Sequence, residues 1–205
     1  MDKRLHEQAI RDIEGLGGTV DTDDRVPGHP VVGVSLERSL VTDSVLGHLQ
    51  RLKQLHYLNL SRTLVTDKVL RVLHTHQKIK RLNISDTLIT DSGLRHLKFG
   101  GSLEELYLPD KITDKGLRHV KGLSRLRILA IEDTGVSDKG LRFVADLGKL
   151  EYLFLSAKQV SAKSVDCLTE LARLQTINLV GLSNSPDDPS LLLLAKSLPN
   201  VRIEW

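Results

Sequence analysis

Aliphatic residues recur along the chain in the spacing L-x-x-L-x-L. The frames are Val31-Val34-Leu36, Leu55-Leu58-Leu60, Ile79-Leu82-Ile84, Leu103-Leu106-Leu108, Leu126-Leu129-Ile131, Leu150-Leu153-Leu155, Leu174-Ile177-Leu179 and Leu198-Val201-Ile203. Successive frames lie 24 residues apart, except the fourth and fifth, which lie 23 apart. A second phrase follows the first six frames: Val41-Thr42-Asp43, Val65-Thr66-Asp67, Ile89-Thr90-Asp91, Ile112-Thr113-Asp114, Val136-Ser137-Asp138 and Val160-Ser161-Ala162. The missing residue falls where Pro109-Asp110-Lys111 replaces the longer Ser85-Asp86-Thr87-Leu88. That is a turn, where a shorter loop costs little.

Each unit reads as a strand, a turn and a helix. The alternation in Leu58-Asn59-Leu60 sends two aliphatics inward and the side chain between them outward. Thr66 and its equivalents are placed to cap a helix, and Asp67 and its equivalents sit in the first turn, at the positive helix end. Leu70 and Leu73, Leu94 and Leu97, Leu117 and Val120, and Leu141 and Val144 are spaced for one buried stripe. A unit this small cannot bury its apolar face alone, so neighbours must stack and share a core. The expected fold is α/β: a right-handed horseshoe arc with a parallel sheet on the concave face and helices on the convex face. Residues 1–205 read as one domain, with an N-terminal helical cap and lead-in over 1–30, seven repeats over 31–182, and a C-terminal cap with a last strand over 183–205. In the first cap, Leu5, Ala9, Ile10, Ile13 and Leu16 are spaced for an amphipathic helix that Gly17-Gly18 ends. Asp21-Thr22-Asp23-Asp24, Pro27-Gly28-His29-Pro30 and residues 184–189 read as loops, and Trp205 is expected to cover the last strand.

With the repeats laid out, Thr87-Leu88-Ile89-Thr90-Asp91-Ser92-Gly93-Leu94-Arg95-His96-Leu97 resembles the leucine-rich-repeat superfamily, in particular the subclass with units of the form T-x-I-T-D-x-G-L-x-x-L. Gly17-Gly18-Thr19-Val20 and Pro30-Val31-Val32-Gly33-Val34-Ser35-Leu36 are similar to a lead-in of bacterial members, planctomycete-like ones above all. Similar units occur in the recognition parts of F-box proteins. The resemblance spans residues 31 to 203 and implies the fold; of function it implies little, because the superfamily presents surfaces and those surfaces vary. The chain departs from the pattern at several positions. His76 and Gly100 stand in the column of Leu52, Leu123, Leu147 and Leu171, which predicts a thinner core there, with Phe99 compensating beside Gly100. Ala162 and Ser164 replace the usual Asp and Gly, which predicts a less regular start for the sixth helix.

The frame also assigns the outward positions. One outward column reads Ser35, Asn59, Asn83, Tyr107, Ala130, Phe154, Asn178, and its neighbour reads Gly33, Tyr57, Arg81, Glu105, Ile128, Tyr152, Thr176. Tyr107, Ile128, Tyr152 and Phe154 thus gather on three adjacent strands, with Glu105, Glu132 and Asp133 beside them and Tyr57 farther along. Aromatic residues anchor protein interfaces, and they also have good strand propensity and pack across strands. A third column, His56, Lys80, Glu104, Arg127, Glu151, Gln175, alternates in sign and reads as a self-satisfied ladder. On the helices Arg71, Arg95, Arg118 and Arg142 each follow an aspartate by four residues, the spacing of ordinary helix-supporting pairs. Lys68, Lys115, Lys139 and Lys163 leave that face basic, so an anion- or nucleic-acid-binding convex surface is the alternative to a protein partner.

Composition narrows the classes further. The chain of 205 residues has a formal charge of +3, too small to imply an anionic partner by itself. Cys167 is its only cysteine, so an intrachain disulfide and a thiolate-rich metal site are excluded. No apolar run is long enough to span a bilayer, and the first residues lack the apolar core of a signal peptide, which makes the cytoplasm the default expectation. His48, His96 and His119 share a helix column but lack a third ligand, so they read as structural, and no metal or cofactor is expected. No nucleotide-binding, zinc-protease or nucleophile-elbow motif is present, and the chain reads as a non-enzyme. Asp43, Asp67, Asp91, Asp114 and Asp138, one per unit, read as a folding device.

Overall fold

A computed structural model describes residues 3–181 and 188–204, and the side chains of all of these except 3–5 and 98–100. The expectations for Leu5, for Phe99 beside Gly100, for residues 184–187 and for Trp205 therefore fall outside what is described. The nine described strands are β1 (Thr19–Thr22), β2 (Val31–Ser35), β3 (Tyr57–Asn59), β4 (Arg81–Asn83), β5 (Glu105–Tyr107), β6 (Ile128–Ala130), β7 (Tyr152–Ser156), β8 (Thr176–Val180) and β9 (Arg202–Glu204). They lie side by side in chain order as one open sheet. From β2 onward every pairing is parallel, and Gly33, Tyr57, Arg81, Glu105, Ile128, Tyr152, Thr176 and Arg202 stand in one row. The sheet lines the concave face of a horseshoe arc, and helices return the chain along the convex face. Leu58, Leu82, Leu106, Leu129, Leu153 and Ile177, the central aliphatics of their frames, are fully buried between the two.

The segment before β2 contains more than a helix. Helix α1 (Lys3–Gly15) places Ala9 and Ile13 in the core, and Gly17 ends it with a φ of 80°, a conformation that glycine alone adopts freely. The chain then forms β1, antiparallel to β2. This corrects the expectation of a loop at Asp21-Thr22. The Asp21 side chain lies over Gly33, where a Cβ would sit 2.5 Å from the Asp21 carboxylate, so the strand beside β1 needs a residue without a side chain.

The repeat helices are short: α2 (Leu46–Leu49), α3 (Lys68–Leu73), α4 (Asp91–Leu94), α5 (Asp114–Leu117), α6 (Asp138–Leu141) and α7 (Ala162–Thr169). Thr90, Thr113, Ser137 and Ser161 cap α4 to α7, each accepting a backbone N–H two residues on. The aspartates do more than sit at a positive helix end. The Asp67 carboxylate accepts both the backbone N–H of Thr90, at 2.7 Å, and its hydroxyl, at 2.9 Å. Asp43 holds Thr66 in the same way, Asp91 holds Thr113, and Asp114 holds Ser137. Each carboxylate is thus bound to the cap of the next unit. The expected Asp–Arg pairs within a helix do not form: among the described residues no ion pair joins Asp67 to Arg71 or its three equivalents. The carboxylate has turned to charge-assisted bonds along the solenoid, which are stronger than an exposed ion pair.

In three units the aspartate also occupies the space beside the glycine of T-D-x-G, whereas Val69 fills that position in the unit held by Asp43. A Cβ on Gly93, Gly116 or Gly140 would lie within 2.3 to 2.5 Å of the preceding unit's aspartate oxygen. Where Ser164 takes that position the bonding is rearranged: the Ser164 hydroxyl accepts the Ser161 N–H at 2.7 Å, and Asp138 keeps only the Ser161 hydroxyl, at 2.7 Å. The sixth helix, expected to start irregularly, is instead closed by a reciprocal capping box and is the longest of the repeat helices. Its turn is held by Gln159, which is buried and accepts the Ser156 N–H while its amide donates to Ile131 and Thr134 of the unit before.

His76 does not leave a void in the leucine column. It is 1% exposed, and its Nε2–H donates to the Leu49 carbonyl at the end of α2, at 2.9 Å. Burial holds its pKa below the usual histidine value, and the Lys53 charge adds to the effect. The unfolded chain therefore binds this proton at a pH where the folded chain does not. The stability from His76 is complete above the ordinary histidine pKa of about 6.5 and is lost as pH falls below it.

These joints generate two predictions. Gly116→Ala brings its methyl group onto Asp91 and is expected to cost about 1–3 kcal/mol in urea unfolding, whereas Gly47→Ala, with nothing within 4 Å of its Cβ, should be neutral or stabilising. Asp91→Ala is expected to cost about 2–4 kcal/mol through two lost charge-assisted bonds. It should also cancel much of the Gly116→Ala cost in the double variant, and strict additivity would refute the direct contact. For His76, unfolding at pH 5 and pH 7 should show a loss of stability that His76→Leu reduces, with hydrogen exchange rising first around residues 49 and 74–79. An unchanged pH dependence in His76→Leu would place the titrating group elsewhere.

Candidate functional site

The turns that follow the strands shape the rim of the concave face. In the regular units the carbonyl of the last frame aliphatic accepts a hydroxyl three residues on: Ser39 donates to Leu36, Thr63 to Leu60, Thr87 to Ile84 and Thr134 to Ile131. The residue between them, Arg38, Arg62, Asp86 or Asp133, takes a left-handed conformation with φ between 53° and 60°. In the fourth unit, which is one residue short, neither device is present: Lys111 stands where the hydroxyl residue should be, and Asp110 has no positive φ. A depression of about 270 Å³ lies at this position, lined by Arg62, Ser85, Asp86, Tyr107, Leu108, Asp110, Ala130, Glu132 and Asp133. A second, of about 220 Å³, is lined by Tyr152, Leu153, Phe154, Thr176, Asn178, Arg202 and Glu204.

The outward residues of three strands connect the two depressions. Ile128 is paired between Glu105 and Tyr152, and Ala130 between Tyr107 and Phe154. Ile128, Tyr107, Tyr152 and Phe154 are all half-buried. Ala130 is only 3% exposed although it belongs to an outward column, as expected when a small residue sits between two large rings. Tyr57 stands apart, three strands from Ile128, with the Arg81 guanidinium 5.3 Å from its ring centre. Arg81 also reaches Glu105, at 3.9 Å. Glu105, Glu132 and Asp133 lie on the acidic side of the aromatic group. Sequence reading did not single out Arg62, Asp86 and Asp110, which share the first depression with Tyr107, Glu132 and Asp133. The missing residue at 109–111 was the available signal.

Electrostatics separate the acids of this face. Burial pushes the Glu132 carboxyl above its usual pKa, and Asp133 and Asp86 push it further. Its Oε2 is shielded from solvent and has no hydrogen-bond partner. Burial raises Glu105 as well, against the pull of Arg81, and it raises the Tyr107 phenol, which Glu105 and Glu132 also oppose ionising. Among the described residues no histidine, cysteine or hydroxyl side chain is hydrogen-bonded to the carboxylates of Glu132 or Asp133. The alternating strand column is paired as its signs suggest, Lys80 with Glu104 at 3.7 Å and Arg127 with Glu151 through two bonds, at 2.7 and 3.0 Å.

On the convex side Arg71, Arg95, Arg118 and Arg142 are exposed. Arg95 and Arg118 donate to the neighbouring His96 and His119 rings, at 3.2 and 3.4 Å, and His48 lies 3.0 Å from Asp12 of α1. Among the described residues no group of three or more His, Cys, Asp or Glu side chains is arranged to hold a metal ion. Burial raises the Cys167 thiol pKa, the opposite of what a nucleophile needs. Among the described residues no helix is long and apolar enough to cross a membrane.

No protein-family model matches the chain, and no curated protein matches it. The structure is similar to the crystal structure of an internalin from Listeria monocytogenes, with a TM-score of 0.52 and 13% sequence identity, over 99% of this chain and 68% of that one. At that identity the likeness speaks for architecture, and with the repeats and the open parallel sheet it identifies the fold as a solenoid of the leucine-rich-repeat type.

Proposed function

We propose that the chain is a protein-recognition scaffold that holds its partner on the concave face, around Tyr107, Ile128, Tyr152 and Phe154, with Glu105, Glu132 and Asp133 at the flank and Tyr57 at the far end. The carrying observation is that large apolar side chains stay partly open to solvent on a face whose backbone is hydrogen-bonded strand to strand. Such residues supply most of the energy in protein interfaces, and a pre-formed surface orders little on binding. The two depressions beside them would receive partner side chains. The fit of Thr87 to Leu97 to the T-x-I-T-D-x-G-L-x-x-L pattern supports the same leucine-rich-repeat subclass, whose members present surfaces of this kind.

A second reading, an anion-binding convex surface, draws on a different observation. Segments 43–54, 67–78, 91–102, 114–125, 138–149 and 162–173, which carry the helices, hold 16 of the 29 Lys and Arg but only 8 of the 26 Asp and Glu. Binding there would weaken steeply with salt.

The two readings are separated by capture from the source cell on immobilised protein. Tyr152→Ala/Phe154→Ala is expected to reduce a captured partner by about tenfold or more, with the circular dichroism spectrum unchanged, while Arg95→Ala/Arg118→Ala retains it. Undiminished capture by the aromatic double variant would reject the concave site.

A further inference from the structure

The charge count has a second side. Removing these six repeat-helix segments leaves 13 bases against 18 acids, so the rest of the chain, the strands, turns and both ends, is net acidic while the chain as a whole is net basic. Four of these acids meet at one place on the concave rim, the depression at the shortened fourth turn. Asp86, Asp110, Glu132 and Asp133 line it, with Arg62 as the one cation among its described lining residues. Arg62 is already engaged, its Nε lying 3.3 Å from Asp86. Among the described residues no ion pair satisfies Asp110, Glu132 or Asp133. The Tyr107 ring forms one wall, and the concave face already shows how it receives a guanidinium, in Arg81 over Tyr57.

We propose that the depression beside Tyr107 receives an arginine side chain of a protein partner, its guanidinium facing the carboxylates of Glu132, Asp133 and Asp110 and its stem lying along Tyr107. This rests on the concave face being the partner surface and names the chemistry of one contact on it. A guanidinium suits the site better than an ammonium, because it is planar, stacks on an aromatic ring and offers several donors to carboxylates arranged around it. The position also has a structural cause. Four turns fill their part of the rim with a left-handed residue and a hydroxyl bond and the sixth with the Gln159 side chain, whereas the fourth has none of these, and Asp86 and Asp133 line the depression on either side of it.

The test uses the whole 205-residue chain, labelled with nitrogen-15, and N-acetyl-arginine amide as probe. Saturable shifts are expected at the amides of Asp86, Asp110, Glu132 and Asp133, with a dissociation constant on the order of 1 mM for so small a probe. N-acetyl-citrulline amide, of nearly the same shape without the charge, should bind at least about tenfold more weakly. Glu132→Gln/Asp133→Asn should abolish the shifts while leaving the spectrum dispersed; asparagine is chosen because it tolerates the left-handed backbone at position 133, where φ is 60°. Equal binding of citrulline, retained affinity in the double variant, shifts confined to Tyr152, Phe154 and Asn178, or no saturable shift at about ten times the expected constant would each overturn the proposal. If partner capture still depends on Tyr152 and Phe154 when arginine fails to bind, the recognition face stands and only its cation preference falls.

Discussion

The aspartate at the start of the repeat helices, bound to the cap of the following unit, is the constraint on which the arc depends. The parallel sheet joins the units along the concave side through backbone bonds that any sequence could make. Nothing generic does this on the convex side, where the helices are only one or two turns long and bury one stripe each. The carboxylate supplies that second seam: Asp43, Asp67, Asp91 and Asp114 each take the backbone N–H and the hydroxyl of the next cap. With a seam on each face, the leucines between them are held in register and the helix spacing is fixed. At Gly93, Gly116 and Gly140 the carboxylate occupies the space that a side chain would take.

The seam also explains where the regular solenoid stops. Asp138 still reaches Ser161, but through the hydroxyl alone, and Ser164 serves the Ser161 N–H from within its own unit. Ala162 then offers no carboxylate to a following cap. The next helix, α8 (Pro189–Ser197), begins instead with its own Asp188, which accepts the Ser190 N–H at 2.8 Å. Each departure from the repeat motif in this region thus corresponds to a change in how two units are joined.

The strands, their parallel order and their register were legible in the sequence because a fixed period sets all three at once. A shift of one residue would have turned Leu58, Leu82 and Leu106 outward. The outward columns followed from the same frame, so the residues of the candidate face could be named. The partner of each aspartate was not legible in this way. It lies one unit away, and within a single helix the spacing Asp67 to Arg71 looks like a familiar ion pair; the only trace in the sequence was that Asp67, Asp91 and Asp114 are each followed, one unit on, by Gly93, Gly116 and Gly140, whereas Asp43 is followed by Val69. Strand β1 was hidden for a related reason, since Asp21 and Thr22 have turn-like composition and pair only because β2 offers an open edge. The columns supplied one wall of the depression, Tyr107 and Ala130, but not the depression itself, because Arg62, Ser85, Asp86 and Asp110 come to it from turns.

A perfectly regular solenoid presents a smooth, repeated surface, so specificity must come from its irregularities. This chain has three of note, and they differ in how the fold answers them. His76 replaces a leucine and is repaired by a bond to Leu49. Gln159 enters a turn and is repaired by bonds to Ile131 and Thr134. Both repairs reach into the preceding unit, satisfy buried polar groups and leave the surface little changed, which marks them as internal adjustments. The shortened turn at Pro109-Asp110-Lys111 is not repaired. It leaves a space on the concave rim, next to the aromatic group, and the acids around that space lack a full set of partners. Leaving carboxylates close together and one of them half-buried costs stability, and Glu132 shows that cost in its raised pKa and its unpartnered oxygen. An irregularity that the fold has neither filled nor neutralised is best explained by a group that arrives from outside, and the composition of the site specifies that group as a cation with an apolar stem.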